Sequence, residues 1–369
     1  MFEITGAAIE GIKANAMVFP QPRSPFVNVL EKLAMGKDLE REEALESFRA
    51  MYSGGMSPAC IGTFLMGLKT KGETPVELAC GVQAALEEAV EVPEIRCAHI
   101  DIVGTGGDRT GSFNCSTATA LTLAAMGYKV TKHGNRSVSS ISGSADILEA
   151  TGFPLDLPPE RLAEELERSN FVFLFAPNYH PAFRRIVPVR KEIGAHTIFN
   201  VMGPLLNPAR PTHQLLGVPG VRHLGLIAET LAMTGMRRGA VVHGAGGFDE
   251  VSPCGATQIV WVRDGWMKRD VLEPEEAGIR LYRPEDVAVR DGAEAEEAFI
   301  EVLHGRGRPA MRDMLTLNTA VALMLLEDGL SFVPAVTRAK EAVTEGLAGR
   351  KFMNGRRFRG MERDYALFA

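Results

Sequence analysis

Four stretches of the chain concentrate residue types that bind phosphate, metal and carboxylate. Residues 101–120, DIVGTGGDRTGSFNCSTATA, bring four glycines, two acids and a run of small hydroxyl residues together. A glycine-rich turn between a strand and a helix lets backbone N–H groups come close to a phosphate. Gly104, Gly106 and Gly107 permit that approach, and Ser112, Asn114, Ser116 and Thr117 add side-chain donors where the helix begins. Asp108 suits a ligand that also carries hydroxyls or a metal ion. The spacing matches neither the P-loop nor the dinucleotide fingerprint. A tight strand–helix turn with hydroxyl caps has the same composition, so this stretch alone leaves both readings open.

The second stretch, KHGNRSVSSISGSAD (132–146), sets Lys132, His133 and Arg136 among serines and glycines, with Asn135 between them. Basic heads and hydroxyls at the end of a strand describe a phosphate or pyrophosphate pocket. The competing reading is a polar surface loop, which a second such loop after a neighbouring strand disfavours. The third, GAGGFDEVS (244–252), carries the adjacent acids Asp249 and Glu250. Beside phosphates they suit Mg²⁺, which takes a few carboxylates plus water or ligand oxygens. Alone, they would read as a solvated pair. The fourth, residues 176–210, has His180 opening a helix and Arg190 ten residues on. Arg190 could pair a substrate carboxylate bidentately or be a surface charge.

The elements that must position these residues follow from the rest of the chain. The 369 residues are 46% hydrophobic and 23% charged, which is globular composition. A net charge of −6 argues against a nucleic-acid or membrane-surface protein. Five dispersed cysteines without a C-x-x-C pair suggest reduced thiols in a cytoplasmic protein. No signal peptide is expected, and no apolar run approaches the roughly 18 residues of a membrane span. Residues 1–24 read as an extension. Residues 25–95 read as a small all-helical unit: Ser57-Pro58 starts one helix, Gly72 ends it, and Thr74-Pro75-Val76-Glu77 has capping-box spacing. From residue 96 strands alternate with helices. AHIDIV, YKVTKHG (strand then loop), FVFLFAP, HQLLGV and GAVVHG supply the strands, and TQIVWVRDGWMKRDV reads as a hairpin around Asp264-Gly265. This alternation argues for an α/β sheet with crossover connections. The last third is helical, and 349–369 reads as a basic, solvated tail.

GTGGD, N-x-S-T, KHGNRSVSS, SGSAD, HPAFRRIVPVR, TIFNVMGPLLNPA and G-x-DE occur in that order. Together they resemble the anthranilate phosphoribosyltransferase family over roughly residues 27–346. The resemblance implies a nucleoside-phosphorylase-like α/β class. A small all-helical domain (25–95, completed by about 178–194) would join a larger α/β domain (96–177 and 195–348) with a central, mostly parallel sheet. It also implies a homodimer, a site in the cleft between the domains, Mg²⁺ as cofactor, and no nucleic-acid or membrane partner. The reaction implied is transfer of phosphoribose from phosphoribosyl diphosphate to the amine of anthranilate, in tryptophan biosynthesis. Carried over by motif, Gly104, Gly107, Asp108, Ser112, Asn114, Ser116, Thr117, Lys132, His133, Gly134, Asn135, Arg136, Ser137 and Ser144 would bind the diphosphate substrate. Gly104, His133, Asn135, His180, Arg190 and Pro204 would line the anthranilate path, with Arg190 facing the carboxylate. Ser116, Asp249 and Glu250 would hold Mg²⁺, and no residue is assigned as general acid or base.

Three positions depart from the family pattern: His196 stands where an arginine is common, Arg109 where a glycine is usual, and VSPCGAT puts Cys254 near the acidic loop. Cys254 is expected to be a packed thiol. Competing readings are a transferase with another aromatic acceptor, a nucleoside phosphorylase, and a non-catalytic nucleic-acid-binding relative.

Overall fold

The computed structural model describes residues 26–106, 110–137 and 141–353. Its first four elements are helices α1 (Val27–Ala34), α2 (Arg41–Ser53), α3 (Pro58–Lys71) and α4 (Pro75–Glu87). Their boundaries follow local chemistry. Ser57 accepts from Cys60 N to start α3, and Gly72 caps its end. Thr74 and Glu77 form a reciprocal capping box on α4. Glu77 is fully buried yet fully used: its carboxylate accepts from Leu39 N, Thr74 N and Lys71 Nζ.

The strands come next, separated by helices. They are β1 (His99–Gly104), β2 (Lys129–Gly134), β3 (Phe171–Phe175), β4 (His213–Gly217), β5 (Arg238–Gly244), β6 (Thr257–Arg263) and β7 (Trp266–Leu272). The helices between them are α5 (Cys115–Ala125), α6 (Ser144–Ala150), α7 (Leu162–Ser169), α8 (Ala176–Tyr179), α9 (Ile186–Ile193), α10 (Phe199–Met202) and α11 (Arg222–Met233). Helices α12 (Gly292–Leu303), α13 (Pro309–Leu326) and α14 (Phe332–Thr344) close the fold. The seven strands form one sheet in the order β3-β2-β1-β4-β5-β6-β7. The first five are parallel, and β6 and β7 add an antiparallel hairpin at one edge. The expected mostly parallel sheet with a helical N-terminal unit is therefore present.

Successive residues of a strand face opposite sides of the sheet, and each side here has its own core. Leu215, Val242 and Ile259 pack with α5, α12, α13 and α14. Leu216, Val241 and Val260 pack with α11 and, continuously, with Phe48, Leu65 and Leu78 of the N-terminal helices. Ile186 and Val189 of α9 join that second core, and Phe183 stacks on Tyr52 of α2 at 5.5 Å between ring centroids.

Two expectations shift. The strand in YKVTKHG does not give way to a loop before Lys132: β2 runs through Gly134, so Lys132 and His133 are strand residues. Pairing of Lys132, His133 and Gly134 with β3 extends it. Residues 349–353, expected within the tail, wind a π-helical turn whose Phe352 and Met353 are buried. The extension 1–24 and the tail from 354 lie outside the described residues. Among the described residues, no helix is long and apolar enough to cross a membrane.

Candidate active site

The C-terminal ends of the parallel strands open into one cavity of about 1070 Å³. Four of these strands end in glycine: Gly104, Gly134, Gly217 and Gly244. Each is required by close approach. A Cβ on Gly104 would overlap the Asp249 carboxylate, on Gly217 the Asp249 carbonyl, on Gly244 the Glu250 carbonyl, and on Gly134 the Ser144 hydroxyl. The acidic loop therefore lies directly on the ends of β1, β4 and β5. Asp249 and Glu250 are 8% and 9% exposed, far from the solvated pair that two loop acids usually make. Gly106 N donates to Asp249 Oδ2 at 2.8 Å, and Ser112 Oγ donates to Glu250 Oε2 at 3.1 Å.

The two phosphate-type loops face each other across this mouth. Asn114 Nδ2 donates to Ser142 O at 3.0 Å and ties them together. Asp146 secures the second loop by accepting from Ser137 N at 2.9 Å and Gly143 N at 3.0 Å. Ser144 Oγ donates to Asn135 O at 3.3 Å, and Asn135 Oδ1 accepts from Arg136 N. Arg136 does not present a free basic head. Its guanidinium pairs with Asp146 and Glu149 at 3.1 and 2.9 Å, so it braces α6 against the loop. Thr117 is buried, and its hydroxyl has no partner among the described residues.

Lys132 is 1% exposed, and its Nζ donates to Ile102 O and, at 3.3 Å, to Ser116 Oγ. Burial pulls its pKa down to about 8, against the opposing pull of Asp101 and Glu250. Ser116, Lys132, Asp249 and Glu250 line the same cavity. Two buried carboxylates beside a hydroxyl, in a cradle that a single Cβ would fill, are a donor set that fits Mg²⁺. Among the described residues no third His, Cys, Asp or Glu completes a metal cluster. Gly107, Asp108 and Arg109 lie outside the described residues.

The far part of the cavity is aromatic and holds the fourth stretch. His180 sits between α8 and a 3₁₀ turn rather than opening a long helix, because Pro181 follows it. Its ring stacks on Phe183 at 5.2 Å and meets His133 edge-on at 5.3 Å. His180 Nε2 bonds to Leu206 O at 2.9 Å, while among the described residues His180 Nδ1 and His133 Nε2 are buried without a partner. Burial holds His180 down to about 4 and His133 well below the usual imidazole range, so both rings are neutral near pH 7. The Arg190 guanidinium lies 4.9 Å over the Phe199 ring, half-buried, and burial lowers its pKa. Among the described residues it has no carboxylate partner. Pro204 is buried, its carbonyl taken by Gln214 Nε2 at 2.7 Å. His196 is exposed on the cavity wall. Cys254 is a half-buried thiol whose pKa burial raises, which disfavours a nucleophilic role.

Sequence reasoning missed Gly217, Phe183, Phe199, Asn207 and the buried Asp101. Only Gly217 carried a readable signal, the glycine that recurs at strand ends.

Residues 27–89 match the model of the glycosyl transferase family, helical bundle domain, and residues 96–349 that of the glycosyl transferase family, a/b domain. The chain is 50% identical over 322 residues to the anthranilate phosphoribosyltransferase of Oleidesulfovibrio alaskensis, covering 87% of this chain and 97% of that one. Its identity to the Ignicoccus hospitalis enzyme of the same name is 44% over 325 residues, with 88% and 95% covered. The Thermus thermophilus anthranilate phosphoribosyltransferase structure superposes with a TM-score of 0.82 at 38% identity, covering 88% of this chain and 97% of that chain. The Saccharomyces cerevisiae enzyme, solved in complex with PRPP and Mg, gives 0.81 at 25% identity, covering 90% and 96%.

Proposed function

From the chain's membership of the glycosyl transferase family with a helical bundle and an a/b domain, anthranilate phosphoribosyltransferases among its relatives, we propose its reaction and the residues that carry it. It transfers phosphoribose from phosphoribosyl diphosphate to the amine of anthranilate. The bond from ribose C1 to the diphosphate oxygen breaks, and its electron pair leaves with diphosphate. A bond from C1 to the amine nitrogen forms, and the nitrogen gives up one proton to water or to the departing diphosphate.

The observation that carries this reading is a single cavity with an anion-binding end and an aromatic end, where the Arg190 guanidinium lies over the Phe199 ring. At the first end, the loop from Gly104 to Thr117, Lys132, and the loop from Gly134 to Ser144 hold the diphosphate and ribose phosphate. Arg136 acts there by bracing the loop. Asp249 and Glu250 with Ser116 would hold Mg²⁺, which neutralises charge on the departing diphosphate. At the second end, Arg190 receives the acceptor's carboxylate, and Phe183 and Phe199 contact its ring. His180 Nε2 donates to Leu206 O, which leaves Nδ1 as an acceptor able to orient an amine N–H. The aromatic amine is neutral at pH 7, so positioning and charge stabilisation carry the reaction rather than a strong base. The family resemblance supports a cytoplasmic homodimer, checked by solution mass.

The test mixes protein, Mg²⁺, phosphoribosyl diphosphate and anthranilate and follows anthranilate fluorescence. Loss of signal that needs all three small molecules is expected. No loss, with phosphoribosyl diphosphate still binding, would replace anthranilate by another acceptor and direct attention to His196.

A further inference from the structure

Strands β1 and β2 are in register only at His99 and Ile100 against Lys129 and Val130. Both continue to Gly104 and Gly134, and along that stretch each stays paired to its other neighbour, β4 or β3. Between their C-terminal halves, side chains occupy main-chain groups that a ladder would use. Asp101 Oδ1 accepts from His133 N at 3.3 Å, and Asn207 Nδ2 donates to Thr131 O at 2.7 Å. Lys132 Nζ crosses the other way to Ile102 O. Asn207 Nδ2 also donates to Asp101 Oδ2 at 2.9 Å, and its Oδ1 accepts from Ala209 N at 3.0 Å. Asp101 is 0% and Asn207 3% exposed.

A carboxylate this deep is unfavourable unless donors and a cation surround it. Glu77, the other fully buried acid, is accounted for by the cap and ion pair it serves in the helical unit. Asp101 serves no cap. Its contacts lead to the backbone of His133 and of its neighbour Ile102, to Asn207 and, through charge, to Lys132.

We infer that Asp101 and Asn207 form a polar wedge that parts β1 from β2 and so positions Lys132 at the diphosphate-binding mouth. The wedge stands in for ladder bonds between the two strand ends, giving His133 N and Thr131 O side-chain partners. Lys132 can then lie between the strands with Nζ at Ser116. Asp101 and Asn207 are positioning residues; neither touches substrate. The inference rests on the function proposed above.

The test is Asp101→Asn. It keeps an oxygen for His133 N but sets an amide N–H against Asn207 Nδ2 and removes the charge. Calorimetric titration with Mg²⁺ and phosphoribosyl diphosphate, without acceptor, is the first readout. Wild-type protein that fails to bind overturns the proposed function itself, whatever the variant does. With wild-type binding in hand, Asp101→Asn is expected to weaken it by about tenfold or more, as loss of a charge-assisted contact does. The KM for anthranilate should stay within about twofold, since independent contacts do not couple. In a double-mutant cycle, Asp101→Asn should add little to Lys132→Met, because both act through one group. Wild-type affinity in Asp101→Asn, equal rises in both KM values, or effects that multiply in the cycle would each overturn the wedge. Should Asp101→Asn fail to fold, Asn207→Ala keeps the carboxylate and removes one arm. The same selective loss is expected of it, and unchanged diphosphate binding would refute the inference.

Discussion

Gly104→Ala tests the arrangement of the metal loop with one added methyl group. In the folded chain that carbon would lie 2.8 Å from Asp249 Cγ and overlap Oδ2. Restoring ordinary contact requires the carboxylate to retreat by about 1 Å. Retreat breaks the 2.8 Å bond from Gly106 N, a charge-assisted contact of about 1.5–3 kcal/mol. The Asp249 main chain cannot follow freely, because its carbonyl already rests on Gly217, where no Cβ fits. A displacement of about 1 Å in a positioned group lowers turnover by about a hundredfold. The assay is anthranilate fluorescence at graded Mg²⁺ with saturating phosphoribosyl diphosphate. The half-saturating Mg²⁺ concentration should rise by about tenfold, the equivalent of about 1.4 kcal/mol at the ion, and kcat should fall. Wild-type Mg²⁺ dependence in a folded Gly104→Ala protein would refute the claim that Asp249, seated on Gly104, holds the ion.

Arg190→Ala should raise the KM for anthranilate by about tenfold or more with little change for phosphoribosyl diphosphate, and equal effects would remove its carboxylate role. Arg190→Lys should not restore the acceptor KM, because an ammonium lacks the planar fork. His180 makes stability depend on pH. Its folded pKa of about 4 lies below its ordinary 6.5, so the unfolded chain takes up the proton first as pH falls. Its contribution is complete above pH 6.5 and is lost toward pH 4, about 3 kcal/mol in all. Urea midpoints over that window should therefore fall less steeply for His180→Leu, and parallel slopes would contradict the assignment. Glu77→Ala removes the acceptor for Leu39 N and Thr74 N and one partner of Lys71. Chemical denaturation should show a loss of about 3 kcal/mol, and a change below about 1 kcal/mol would show the ion pair to be dispensable.

The elements were legible where local chemistry decides them. Ser57, Gly72 and Thr74 mark helix ends through bonds made within a few residues. The strands between helices announced a parallel sheet, and Asp264-Gly265 its terminal hairpin. The strand end at Lys132 was misjudged because its pairing partner β3 lies about forty residues away, and polarity at a strand end looks like a loop. Site residues were readable as types, but not in their employment. Arg136 looks the same in sequence whether it meets a phosphate or, as here, Asp146 and Glu149. Asp101 was invisible for a similar reason. In IDIV it passes for an ordinary polar residue in a strand, and only the arrival of Asn207 from 106 positions away gives it a function.

The unbroken core that joins the N-terminal helices to one face of the sheet constrains how the molecule can come apart. Phe48, Leu65 and Leu78 belong to one apolar cluster with Leu216, Val241 and Val260, joined through α11. Melting the helices would strip apolar cover from α11, the helix that itself packs on β5 and β6. Neither part can then lose its structure while the other keeps its own, and heating should give one calorimetric transition whose van't Hoff and measured enthalpies agree.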